Sequence, residues 1–288
     1  RSNARPSAQL LEMRGHLFLI DCGEATQVAL RNANAKFARI KHIFISHLHG
    51  DHCFGLFGML STFGMTGRTA PLQVYAPKEF EEYFNLSMEL FCKGLGYKVT
   101  FHPIEATETA VIYEDKSLTV ETIPLEHRIP CCGFLFREKP TAPHIRRDMI
   151  DYYNIPISQI SNIKAGADWT TTDGETIPNS RLTTPADKPR SYAYCSDTRY
   201  MKHLYKKVSG VDVLYHESTY TSEHNDRART YYHSTSQEAA TVARDAAAGK
   251  LLLGHYSARY PNEDTILSEA KAIFPNSFLT NEGMVFDV

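Results

Sequence analysis

Three histidines and an aspartate fall within six positions of this chain, in the run Ile43-Phe44-Ile45-Ser46-His47-Leu48-His49-Gly50-Asp51-His52. An apolar β-branched stretch feeding such a cluster predicts a strand that ends in a loop of metal ligands. Residues 47, 49, 51 and 52 cannot all reach one ion from a regular strand or helix, but a tight turn can divide them, and Gly50 permits one because it lacks a Cβ. The natural division gives His47 and His49 to one ion, and Asp51 and His52 to a second. Imidazoles with a carboxylate and no interleaved thiolate suit zinc, with iron or manganese as alternatives. Cys53 is expected to be a small buried residue pointing into the next element.

The elements around this loop repeat one arrangement. Apolar strands beginning near 43, 118, 191, 211 and 251 each deliver a histidine or an acidic residue close to their C-terminal ends. In α/β architectures that rim is where sites are built. His127, Asp197 and His255 therefore become candidates to complete the two ions of the 47–52 loop. His216 and Glu217 are expected just past the strand 211–215, with His216 as a buried hydrogen-bonded residue. The strand 16–22 carries Asp21, which could support a ligand histidine or cap the turn at Gly23. Helices are expected over roughly 24–34, from Gly55 to Met65 with Leu56, Met59, Leu60 and Phe63 inward, and over 78–91 after the strand 72–75. Val111–Tyr113 and Leu118–Ile123 form a hairpin, and Ser234 with Gln237 has the spacing of a capping box for a helix to about Ala248, with Gly249 as its stop.

At 288 residues and 42% hydrophobic content the chain has ample length for a sizeable core, as one domain 1–288 carrying an insertion. That insertion, 138–190, holds many of the prolines and the only tryptophan, Trp169, with a short helix expected near 145–153. Between Arg137 and Arg190 eight Lys/Arg stand against seven Asp/Glu, so the arm is not basic as a whole; its local cluster is His144, Arg146 and Arg147. A net charge of −2 gives no global signal for nucleic acid. No apolar run is long enough to span a membrane, the N-terminus Arg1-Ser2-Asn3-Ala4-Arg5-Pro6 lacks a signal-peptide core, and the six cysteines have no framework spacing. A cytoplasmic protein in a reduced compartment is the simplest expectation.

The metal loop resembles the His-x-His-x-Asp-His signature of the metallo-β-lactamase superfamily. Within it, Asp21-Cys22-Gly23-Glu24, Tyr194-Cys195-Ser196-Asp197-Thr198-Arg199, His216-Glu217-Ser218-Thr219, Tyr232-His233-Ser234-Thr235 and His255-Tyr256-Ser257-Ala258-Arg259-Tyr260 are similar to ribonuclease Z in its short form. These segments span nearly the whole chain. His-Glu-Ser-Thr, close to that family's His-Glu-Ala-Thr, is the most specific of them.

The resemblance implies a four-layer αββα sandwich with a dinuclear site at the edge between two sheets. It implies two Zn2+ per subunit, one on His47, His49 and His127, the other on Asp51, His52 and His255, with Asp197 bridging. It further implies a homodimer, no membrane, and an arm at 138–190 that grips precursor tRNA. The family's opening strand and Gly-rich turn are not found ahead of Pro6, so the first sheet is expected to lack its N-terminal strand. Phe57 stands where a proline is usual, and Ile155-Pro156-Ile157-Ser158 replaces a Gly-Pro pair in the arm.

The chemistry so implied is hydrolysis of the RNA phosphodiester 3′ of the discriminator nucleotide, with two metal ions activating water and stabilising charge at phosphorus. Asp51 would take the water's proton. His233, held by Glu217, would protonate the leaving 3′ oxygen, unless the two only pin a pair of loops together. Arg146, Arg147 and Arg259 are candidate phosphate contacts. The alternatives are another hydrolase of the same fold, acting on a small phosphodiester, lactone or lactam, and a non-catalytic RNA-binding protein that keeps the fold.

Overall fold

The computed structural model describes residues 5–288; the first four residues of the N-terminal stretch considered above for a leader lie outside the described residues. The described residues form two compact units, one of residues 5–137 with 190–288 and one of residues 138–189.

The first unit opens with a five-stranded sheet in the order β1 (Gln9–Met13), β2 (His16–Ile20), β3 (Ile40–Phe44), β4 (Leu72–Pro77) and β5 (Val99–Ile104). β1 and β2 are antiparallel, and β2 to β5 run parallel. Strands β6 (Val111–Glu114), β7 (Leu118–Leu125) and β8 (Cys131–Glu138) then start a second sheet. Residues 138–189 follow as the other unit, described below by itself. Its two-residue strands are β9 (His144–Ile145), β10 (Trp169–Thr170), β11 (Thr176–Ile177) and β12 (Thr183–Thr184). The chain returns with β13 (Ser191–Cys195), β14 (Val213–Glu217), β15 (Lys250–Gly254) and β16 (Ser277–Leu279). The second sheet is ordered β16-β15-β14-β13-β8-β7-β6, with β13 to β16 mutually parallel.

Strand β2 shows why the layers arise, because successive side chains point to opposite faces. Leu17 and Leu19 join Ile43, Leu56, Met59, Leu60 and Phe63, packing helices 26–32, 56–65 and 81–91 on one face. Phe18 and Ile20 point the other way and meet Phe44, Tyr75, Phe134, Phe136 and Tyr194 between the two sheets. On the far side of the second sheet, Ala193, Leu214, Leu251 and Leu253 pack under helices 236–245 and 264–273 through Ala239, Ala243, Ile266 and Ala270. The result is helix, sheet, sheet, helix, the αββα sandwich. Each large apolar side chain fully buried in it stabilises the fold by about 1.5–3 kcal/mol.

The 138–189 unit has its own small core of Ile155, Ile163, Ile177 and Leu182. The helix expected near 145–153 is Arg147–Tyr152, and two more follow at Ile157–Lys164 and Asn179–Leu182.

Several boundaries differ from expectation for local reasons. His216 and Glu217 lie within β14 rather than past it. The capping box is Thr235 with Glu238, one residue beyond Ser234 and Gln237, because the Ser234 hydroxyl donates instead to the Thr198 carbonyl at 2.7 Å. That helix ends at Asp245, where Ala247 turns left-handed at φ 51, and not at Gly249. Gly249 is needed for close approach, since a Cβ there would lie 2.6 Å from the Asp212 carbonyl oxygen. Among the described residues no helix is long and apolar enough to cross a membrane. All six cysteines are buried and free.

Candidate metal centre

The side chains of the rim come together where the C-terminal ends of strands from both sheets meet. His47 and His49 follow β3, and Asp51 and His52 lie on the short helix Gly50–Cys53. His127 stands two residues past β7, Asp197 two past β13, and His255 one past β15 in a left-handed conformation at φ 59. The tight turn expected at Gly50 is the start of that short helix, with Gly50 outside the left-handed region. The Phe54 ring, exposed to solvent, lies over it, 2.5 Å from where a Cβ would stand.

Two sets of ligand atoms result. His49 Nδ1 lies 3.2 Å from His47 Nε2 and 3.1 Å from His127 Nε2, while Asp197 Oδ2 is 3.8 and 3.9 Å from those two Nε2 atoms. In the second set, Asp51 Oδ2 is 3.6 Å from His52 Nε2 and 3.7 Å from His255 Nε2. Asp197 Oδ1 faces the same two nitrogens at 3.6 and 3.4 Å. Donors bound at about 2.0–2.1 Å to one tetrahedral zinc stand roughly 3.3 Å apart, so both sets have the spacing of a coordination shell.

Two further observations fit a pair of cations. His52 Nε2 and Asp197 Oδ1 are buried and have no hydrogen-bond partner, although buried polar atoms are almost always satisfied. Burial pushes His255 down, but the Asp197 and Asp51 carboxylates outweigh it and raise its pKa to about 10. The space between those carboxylates thus favours positive charge. His47, by contrast, is held neutral by burial and the surrounding histidines, the form that binds a metal.

Each histidine that offers Nε2 has its Nδ1 occupied, which fixes tautomer and ring orientation. His127 Nδ1 donates to the Tyr232 carbonyl at 2.9 Å, and His255 Nδ1 to the Thr219 hydroxyl at 2.9 Å. His47 Nδ1 lies 3.0 Å from the Ser46 hydroxyl, and His52 Nδ1 donates to Asp21 Oδ2 at 2.7 Å. Asp21 thus supports the candidate ligand His52, the first of its two sequence alternatives. It is fully buried and also accepts from Ser46 N at 2.8 Å and Tyr194 Oη at 2.6 Å. In Asp21→Asn the metal content after dialysis against a weak chelator is expected to correspond to a 10–100-fold lower affinity, the usual effect of losing such a support. Unchanged affinity by competition titration would refute this.

Beside the two sets stands His233, whose Nδ1 donates to Glu217 Oε1 at 2.9 Å. Its ring stacks on His255 at 5.3 Å, and it falls within ligand distance of Asp197 and His255. Glu217 is fully buried and accepts further bonds from Thr198 N, Thr219 N and Thr219 Oγ1 at 3.0, 3.0 and 2.7 Å. Burial opposes its charge, but His233 and these bonds keep it ionised. Thr219 therefore links Glu217 to His255, a role its place in the His-Glu-Ser-Thr segment had not made visible. His216 is buried, with Nδ1 donating to the Glu217 carbonyl at 2.7 Å.

Of the expected phosphate contacts, Arg146 and Arg147 belong to the 138–189 unit, where Arg146 pairs with Asp148 at 2.7 Å. Arg259 is exposed, four residues past His255.

A family model described as the anti-Pycsar protein Apyc1 matches residues 3–142. A ribonuclease Z of Bacteroides fragilis is 51% identical over 278 residues, covering 96% of this chain and 91% of its own. A ribonuclease Z of Phocaeicola vulgatus is 50% identical over 282 residues, covering 98% and 91%. The crystal structure of human tRNase Z, short form, is similar at a TM-score of 0.69 and 25% identity, covering 98% of this chain and 92% of that one. Similarity at this level over nearly the full length carries a firm conclusion: the chain belongs to the ribonuclease Z family, endoribonucleases of the metallo-β-lactamase fold.

Proposed function

We propose that this chain hydrolyses precursor tRNA 3′ of the discriminator nucleotide at the rim centred on Asp197. Family membership makes it a metal-dependent endoribonuclease of tRNA 3′-end processing. The observation that carries the site assignment is the Asp197 carboxylate, with one oxygen toward each set of ligand atoms. Two Zn2+ ions, one held by His47, His49 and His127, one by Asp51, His52 and His255, and both by Asp197, would acidify a water and stabilise charge at phosphorus. Manganese or iron would suit the same donors.

The chain's own groups supply proton transfer. Asp51, the most exposed of the carboxylates, takes the proton released when water attacks. The bond from phosphorus to the 3′ oxygen then breaks, and that oxygen needs a proton to leave. His233 gives it from Nε2, because its Nδ1 proton is committed to Glu217. Transfer from Nε2 leaves a neutral imidazole still bonded to Glu217.

The 138–189 unit serves as the arm that grips tRNA, with Arg146 and Arg147 toward phosphate, and Arg259 adds a contact at the rim. The enzyme works as a cytoplasmic homodimer. Sedimentation as a 32.6 kDa monomer, or an unchanged KM for precursor tRNA after a short linker replaces the unit, would remove the respective assignment.

The decisive experiment is incubation of the protein with a 3′-extended precursor tRNA. Cleavage next to the discriminator nucleotide is expected, lost with chelator and restored by zinc. A metal-loaded protein that leaves the RNA intact but hydrolyses a small phosphodiester would favour the alternative reading.

A further inference from the structure

Two cation–aromatic pairs flank His127 and His233, and they differ in what else holds them. The Arg199 guanidinium lies 4.9 Å from the Tyr232 ring centroid, and its Nε bonds Glu126 Oε2 at 2.5 Å. That pair is tied down, and its role is to join two loops. The Arg128 guanidinium lies 5.6 Å from the Tyr231 ring centroid. Arg128 is exposed and meets no carboxylate within ion-pair distance among the described residues. Tyr231 keeps 39% of its surface in solvent. Nothing in the packing of the unit explains the second pair.

Its position is specific. Arg128 directly follows the ligand candidate His127, and its charge bears on His49. Tyr231 ends the helix 225–231, two residues before His233. Consecutive Cα atoms are about 3.8 Å apart, so both planar groups are anchored within roughly 8 Å of a residue at the reacting centre. A guanidinium plane and a tyrosine ring are the groups on which unpaired RNA bases stack, and an uncommitted guanidinium also attracts the adjoining phosphate.

Which nucleotide they meet follows from the chemistry. His233 protonates the oxygen that stays with the mature RNA, so the groups flanking His233 face the nucleotide bearing that oxygen. We infer that Arg128 and Tyr231 form a stacking platform for the base of the discriminator nucleotide. This rests on the endoribonuclease reading given above. Because every base has a π face, the platform adds affinity with little choice among bases.

The test uses metal-loaded protein and a precursor tRNA whose scissile linkage is a non-hydrolysable methylene phosphonate, with binding read by fluorescence anisotropy. Tyr231→Ala is expected to weaken binding about tenfold, and Tyr231→Phe to keep it, as stacking energies of single bases imply. On RNA made abasic at the discriminator position, the Tyr231→Ala penalty should shrink below about twofold if that base is its partner. Arg128→Ala should weaken binding and flatten its salt dependence, since a phosphate contact is lost with the stack. On cleavable RNA the Tyr231→Ala penalty should appear in KM, with kcat nearly unchanged. An equal penalty on intact and abasic RNA, or none on intact RNA, overturns the platform while wild-type cleavage upholds the endoribonuclease reading. If the wild-type protein neither binds nor cleaves the RNA, that reading falls first.

Discussion

In Asp197→Ala the metal content is expected to fall below two ions per chain, and kcat/KM on precursor tRNA to drop by roughly four orders of magnitude, as several kcal/mol of charge stabilisation leave the transition state. The reason is geometric. Asp197 is the one carboxylate with an oxygen toward each set, and its buried Oδ1 has no hydrogen-bond partner to fall back on. Losing it removes a donor from both sets at once. Elemental analysis beside steady-state kinetics checks the outcome; two retained ions with activity within tenfold of wild type would refute the bridging role.

His233→Ala should behave in the opposite way toward metal. Both ions are expected to remain, while kcat falls by about 10²–10⁴, the usual contribution of a positioned general acid. A chemical rescue separates proton donation from loop pinning. If sulfur replaces the bridging 3′ oxygen, the leaving thiolate needs no proton, and most of the His233→Ala deficit should disappear. A deficit that persists in full on the sulfur substrate would mean that His233 only holds its loop. Glu217→Gln is a less clean probe, because Glu217 also reaches the candidate ligand His255 through Thr219.

The dense ligand run at 47–52 and the recurring acid or histidine at strand ends made the centre legible, because ligand chemistry restricts residue type and α/β topology restricts place. The αββα arrangement was foreseen through resemblance, and the comparison with relatives supports it. What escaped was less patterned. β5 contains His102 and Pro103, and β8 contains Gly133, so neither reads as a clean apolar strand. The helix Asp264–Ile273 and β16 also went unforeseen. The one-residue slip of the capping box reflects a real ambiguity: Ser234-x-x-Gln237 and Thr235-x-x-Glu238 both satisfy the pattern, and only the distant Thr198 carbonyl decides. Supports such as the Tyr232 carbonyl are backbone atoms, and composition carries no trace of them.

Asp21 has a consequence for how the protein comes into being. Its carboxylate lies one residue past β2 in the first sheet, yet it holds His52 and is itself held by Tyr194 of β13 in the second. Those two strands are separated in sequence by the whole 138–189 unit. A nascent chain that has made only its first sheet owns four of the seven candidate ligand residues but lacks the tyrosine that seats the support of His52. Tight cation uptake is therefore expected late, once the two halves have docked. From then on, any ion bound there would oppose their separation by RT ln(1 + [L]/Kd). Metal supply would thus act as a clock on maturation, so that starved cells accumulate chain that is made but not yet locked.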